Sequence, residues 1–363
     1  MIRSPKNSHL WLPALLKQRI ALRKPPADPT HVYVCLADHF EPGWGRAPLE
    51  IQRQRVDTWM RRYPEIAARH RDSQGRPPQH TFFFPAEEYV PEHLDRLAKL
   101  CQGGWGDVEV HLHHDGDTAA HLRDTLLTFT NTLYSRHGLL RKGPRGEIAY
   151  GFIHGNWALN NSRPDGRWCG VDDETTVLLE TGCYADFTMP SVPSATQSRV
   201  VNSINYAMPQ DQPRAQDRGL PARAGQVPPN GLLLIQGPLS LDWRHRKWHI
   251  LPRIENGEVD AHHLAPSPER VALWIHCRIH LPGAAGHIFV KLFTHGAHER
   301  NTRALLGDHL GRLWHCLEQF CGPESSYRLH YVTASEMFQV VRRLETTPSQ
   351  QVPTPADVSS TEP

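Results

Sequence analysis

HVYVCLADHFEP, residues 31–42, decides how the rest of the chain is read. Its first seven residues, 31–37, carry the β-branched, aromatic and aliphatic types of a buried strand. They give way abruptly to Asp38, His39 and Glu41, and then to a loop through Pro42, Gly43 and Gly45. The same pattern recurs down the chain. Further strand-like runs stand at 81–84, 107–112, 148–153, 184–189, 231–236, 287–293 and 327–332. Helical patterns lie between them at 49–69, 91–100, 118–134, 172–179, 266–280, 301–320 and 334–344, with a hairpin at 243–254. Alternating strands and helices predict an α/β fold with a parallel sheet. Seven or eight such units in one chain are better accommodated by a single barrel than by two domains, and in such barrels the chemistry collects at the C-terminal ends of the strands. The expected organisation is an N-terminal helix or extension over 1–30, one catalytic barrel domain over 31–345 with a long irregular loop at 190–230, and a disordered Pro/Ser/Thr-rich tail over 346–363.

Bulk properties narrow the class. A chain of 363 residues with 39% hydrophobic and 21% charged residues buries a large core. A formal charge of +2 gives no reason to expect nucleic acid, which normally calls for a concentrated basic face. Histidine is abundant, with 24 copies, which favours a metal or acid–base site. Seven cysteines without a CxxC pair point to free, mostly buried thiols in a reducing compartment. There is no signal-peptide pattern and no run of about 18 apolar residues, so no transmembrane segment is expected and the reading is cytoplasmic. Residues 10–22 read as a helix packed on its own domain, in preference to a basic amphipathic helix touching a membrane surface or a partner.

The strand ends carry the candidate chemistry. Asp38 beside His39 offers a base and a ligand, although Asp also starts ordinary loops. The third run closes in EVHLHHDGD, residues 109–117. His111 and His113 point the same way on an extended strand, and Asp117 begins the next helix four residues after His113. A strand-end ligand and a first-turn ligand can converge on one ion; the plainer alternative is a helix capped by Asp115 or Asp117. The same rim holds His114, His154, Asn156 and Trp157, then Asp186, and finally His295 after the run 287–293, well placed as a general acid. Trp44, Trp157 and Trp168 sit in rim loops, where flat rings can stack on sugars or simply anchor the loops.

In this order the motifs resemble the polysaccharide deacetylase superfamily, the NodB-type carbohydrate esterases, over roughly residues 32–341, which implies a distorted TIM-like (β/α)7-type barrel. The family's first strand ends in an aspartate pair, catalytic base then metal ligand; Asp38 and His39 hold that place. Its two metal histidines, four apart, are matched in spacing by His113 and Asp117. Its aspartate–serine pattern resembles 186–191, its Leu-x-His strand end resembles 292–295, and its closing strand and helix start resemble 332–336. The ligand triad so implied, His39, His113 and Asp117, swaps residue types at two of three positions but keeps one carboxylate and two imidazoles. The family's arginine motif has no counterpart.

The resemblance implies a zinc-type divalent ion and hydrolysis of an acetyl amide or ester on a carbohydrate or glycoconjugate. Asp38 would be the base and His295 the acid, with His114, His154, Asn156, Trp157 and Asp186 around the substrate. Two rivals stand beside it: a catalytically silent carbohydrate-binding barrel, and an amidohydrolase- or phosphoesterase-like hydrolase that uses the pair His111 and His113.

Overall fold

The computed structural model describes residues 4–21 and 28–346. The chain opens with α1 (Ser8–Ala21) and the strand β1 (Thr30–His39), followed by α2 (Leu49–Ala67), β2 (His80–Pro85), α3 (Pro91–Gln102), β3 (Gly106–Leu112) and α4 (Ala119–His137). A two-residue strand β4 (Arg141–Lys142) precedes β5 (Ile148–His154), α5 (Glu174–Glu180), β6 (Cys183–Asp186), β7 (Ile204–Ala207), β8 (Leu220–Pro221) and β9 (Leu232–Ile235). The hairpin β10 (Ser240–Lys247) and β11 (Leu251–Glu255) leads to α6 (Pro268–His276), β12 (His287–Thr294), α7 (Glu299–Ala304), α8 (Leu310–Phe320), β13 (Tyr327–Tyr331) and α9 (Ala334–Thr346).

The expected strands pair largely in parallel. The order β12-β1-β2-β3-β5-β6-β9 is parallel throughout, with β13 beside the start of β1. The closed barrel is not formed: among the described residues, β9 and β12 make no ladder with each other. Both edges are occupied by something else. β7 pairs antiparallel with β9, and β8 with β7. On the other side Phe293 exchanges backbone hydrogen bonds with Gly257 and Val259. The segment expected to be an irregular loop at 190–230 therefore supplies two strands, because its apolar Ile204–Ala207 satisfies the exposed backbone edge of β9.

Strand alternation sets the two core layers. Val32, Val34 and Leu36 face one way, against Val56, Trp59, Leu97, Leu126 and Leu313 from the outer helices. Tyr33, Cys35 and Ala37 face the other way, where Met337, Val340, Val341 and Leu344 of α9 cover them. Phe83, Ile153, Ala185, Leu233 and Phe289 of the other strands fill the same inner face, and α9 packs onto them.

Helix α1 packs Leu10, Trp11 and Leu15 against Val192, Val201 and Leu239, while Leu16 and Ile20 stay exposed. All seven cysteines are free thiols. No described helix is long and apolar enough to cross a membrane. The expected disordered tail lies outside the described residues, apart from Thr346, which closes α9.

Candidate metal centre

The parallel register sets Asp38 beside Thr294 and Phe82, and Leu112 beside His154, so the C-termini of β1, β2, β3, β5 and β12 share one rim. His39, the last residue of β1, is buried there. Its ring lies 4.7 Å from that of Trp157, 4.6 Å from His295 and 4.8 Å from His111, while His111 and His113 are 4.7 Å apart. Four imidazoles thus form one row, with Glu41 against it. Glu41 lies 3.2 Å from His111 Nε2 and 3.7 Å from His113 Nε2, and it also groups with His39 and His295.

Hydrogen bonding exposes an imbalance in this row. His111 Nδ1 lies 3.1 Å from the carbonyl oxygen of Ile153, which can only accept, so Nδ1 carries the proton. In a neutral imidazole Nε2 is then a bare lone pair, aimed at a Glu41 carboxylate oxygen that is also an acceptor. One proton or one cation must lie between them. His39 is more exposed to this problem still, since neither of its buried ring nitrogens has a hydrogen-bond partner among the described residues. Burial, together with neighbouring imidazoles, holds both His39 and His111 well below the ordinary imidazole range, which keeps them neutral. Burial raises the Glu41 carboxyl, against the pull of His295 and His113. For His113 burial works downward, but the hydrogen bond to Glu87 and the charge of Glu41 outweigh it and raise the imidazole. Neutral imidazoles with unclaimed nitrogens around a buried carboxylate suit a divalent ion.

Asp117 does not join this row. Its carboxylate faces His121 at 2.7 Å and His114 at 3.2 Å, so His39, His113 and Asp117 do not form one group of mutually close ligand atoms. The cap of α4 is Thr118, not an aspartate. His114 and His154 belong to a second, buried group with Cys169 and Glu174, which could also hold an ion. Hydrogen bonds account for much of it: His114 meets Glu174 at 3.1 Å, Glu174 accepts from Asn160 N–H, and Asn156 N–H reaches His154 Nδ1 at 3.2 Å. Asn156 further bonds the His114 carbonyl, so these residues pin the irregular loop between β5 and α5. Asp186 is buried below the rim with Thr188 as its donor, and burial pushes its carboxyl up to about 7.

Trp157 does reach the centre. It holds φ at 60°, a strained value for a bulky side chain, and in that conformation its indole stacks on His39. His295 lines a cavity of about 220 Å³ with His39, Glu41, Trp44, His262 and His298. Its Nδ1 lies 3.8 Å from Glu258, whose carboxyl burial pushes up to about 7. Asp38 is fully buried and faces His80 and the Gly296 N–H instead of the cavity.

Sequence reasoning passed over Glu87, Glu258 and Glu174 and gave Glu41 no role of its own. Glu41 and Glu87 had a signal: each follows a strand end by two residues. Glu258 and Glu174 had none, because they arrive from a loop and a helix start that only the fold brings near.

No family model and no curated protein matches the sequence. Among solved structures the chain is distantly similar to an alpha-mannosidase from Enterococcus faecalis V583, with a TM-score of 0.40 and 9% identity over 86% of this chain. The match spans 29% of the mannosidase, and at this level it carries no argument about chemistry. What fold and site define together is a class: an α/β protein with buried His/Glu/Cys groups that could hold a metal ion.

Proposed function

We propose that the chain is a metal-dependent hydrolase that removes an acetyl group, as amide or ester, from a carbohydrate or glycoconjugate. The observation that carries the metal is the pair of acceptors set face to face, His111 Nε2 and the Glu41 carboxylate, 3.2 Å apart with His111 Nδ1 committed to a carbonyl. Glu41, His111 and His113 would hold the ion, with His39 as the adjacent donor. This ligand set takes both histidines of the HxH reading and keeps His39 and His113 from the deacetylase resemblance; Asp117 drops out. A bound zinc-type ion would polarise the scissile carbonyl and lower the pKa of its water to about 7.

The chain's own residues supply the rest. His295 lines the cavity and stands beside Glu258, so it can deliver a proton to the leaving amine or alkoxide. Trp44 offers a flat apolar face in the cavity for a sugar ring, and Trp157 backs His39. Asp38 acts through Gly296 and is a positioning residue for the His295 turn.

The test is elemental analysis of the purified chain together with acetate release from acetylated oligosaccharides. His111→Ala should lose metal and turnover, His295→Ala should lose turnover and keep metal, and Asp117→Ala should keep both. A chain that purifies and reconstitutes without metal, or an Asp117→Ala variant that alone loses it, overturns the proposal.

A further inference from the structure

We propose that the β10–β11 hairpin docks the protein onto an anionic membrane, its basic side chains taking lipid phosphates and its tip entering the headgroup layer. The stretch WRHRKWHILPR, residues 243–253, holds four Arg or Lys and two His and no carboxylate, in a chain whose formal charge is only +2. Within the same stretch Trp248 is 78% exposed, Ile250 68%, Leu251 50% and Trp243 48%. Large exposed apolar side chains interleaved with cations are the composition of an interfacial membrane anchor.

The turn geometry adds an independent observation. Ile250 N–H bonds the Lys247 carbonyl at 3.2 Å, and the two central residues, Trp248 and His249, hold φ at 50° and 60°. Two successive positive φ values at the centre of such a β-turn normally call for Gly or Asn. Here the strained positions carry an indole and an imidazole, so the hairpin bears a backbone cost to display them. Behind the tip, Arg244, Arg246, Arg253, His245 and His249 line a hollow of about 660 Å³ suited to phosphate groups. The nearby carboxylates are few and engaged. Asp242 holds His245 at 2.7 Å, and Glu269 lies 3.5 Å from Arg244.

Other occupants fit less well. A second copy would set one cationic hairpin against another. Nucleic acid would use the cations and Trp but has no place for exposed Ile250 and Leu251, which gain most at the boundary of headgroups and acyl chains. At the hairpin base Arg19 of α1 donates to Ser240 Oγ at 3.0 Å, and α1 leaves Leu16 and Ile20 exposed. Leu264 lines the basic hollow and His262 lines the cavity over His39, so the docking face and the candidate site share one short segment.

The experiment is co-sedimentation of the full chain with vesicles of phosphatidylcholine alone and of phosphatidylcholine mixed with phosphatidylglycerol. Binding should appear only with the anionic lipid and weaken as salt is raised. Arg244→Ala with Arg246→Ala should weaken it roughly 25-fold, at roughly fivefold per cation. Trp248→Ser with Ile250→Ser should abolish it while circular dichroism stays unchanged. Equal binding to both vesicle types, undiminished binding by the tip variant, or a solution dimer that the tip variant dissociates would each overturn the proposal. Vesicle binding is read without turnover, so its outcome is independent of catalysis.

Discussion

Gly296 donates its backbone N–H to Asp38 Oδ1 at 2.5 Å, while His80 Nε2 meets the other carboxylate oxygen at 2.9 Å. This contact joins the ends of β1 and β12 directly beneath His295. A Cβ on Gly296 would lie 2.1 Å from Asp38 Oδ2 and 2.6 Å from the Trp59 ring, so only glycine allows it. Asp38 therefore works as a strut.

Replacing Asp38 separates a strut from a base. Asp38→Ala leaves His80 and the Gly296 N–H buried without a partner and should cost about 3 kcal/mol in urea unfolding. Asp38→Asn can still present an amide oxygen to Gly296. It should keep its metal and more than about a tenth of kcat; a loss near the 100- to 10,000-fold scale of general-base removal would return the base role to Asp38.

Gly296→Ala should disturb the same joint from the other side. The added methyl must displace the Asp38 carboxylate or the Trp59 ring, a clash of the kind that costs about 1–3 kcal/mol in a packed core. Because His295 is the preceding residue, kcat should fall more than the metal content does. Normal turnover in a correctly folded variant would show that the turn geometry is irrelevant to catalysis.

Glu41 belongs to both rim groups, with His39 and His295 and with His111 and His113. Glu41→Gln should weaken metal binding more than Glu87→Gln, since Glu87 meets His113 at Nδ1 and at the backbone N–H, away from Nε2. Loss of such an outer partner costs roughly 10- to 100-fold. Titration with a chelator that competes for zinc would rank the two, and the reverse order would remove Glu41 from the ligand set.

Acid stability should depend on a stack of imidazoles at the opposite end of β1. His31 lies 2.8 Å from His330 and stacks on His287. Burial pushes His287 down to about 4 and His330 to about 3. In the unfolded chain both titrate near 6.5, so between that pH and their folded values the unfolded state binds more protons. Stability is therefore full above about pH 6.5 and falls as the pH drops towards 3, by up to about 1.4 kcal/mol per pH unit for each group. Urea midpoints measured over that range should fall less steeply in His330→Gln; an unchanged slope would remove the stack from the acid response.

A buried ion pair steadies the other wall of the cavity. Arg270 makes a two-point contact with Glu255 at 2.8 and 2.9 Å, and it also donates to the carbonyls of Leu264 and Glu258. Arg270→Ala strands a buried carboxylate and should cost about 3–5 kcal/mol. Hydrogen exchange should rise along 256–264, the segment that brings Glu258 to His295. Protection unchanged there would limit Arg270 to a local role.

Strand and helix positions were legible in the chain because apolar periodicity reports local burial directly. The segments 31–37, 107–112 and 287–293 lie within three residues of the observed strand ends, and His39, His113, Trp157 and His295 stand at or just after the C-terminal ends of β1, β3, β5 and β12. Pairing of sheet edges is a long-range property without a local pattern. The backbone edge of β9 accepts whichever extended segment reaches it, and Ile204–Ala207 reaches it before a barrel can close. The ligand grouping escaped for a similar reason. Asp117 and Glu41 are both carboxylates near histidines in sequence, but the strand-to-helix turn directs Asp117 at His114 and His121, while the loop after β1 folds Glu41 onto the His111–His113 face. Residue order alone established which chemical groups stand at the rim; which of them touch depends on loop directions that only the packed chain settles.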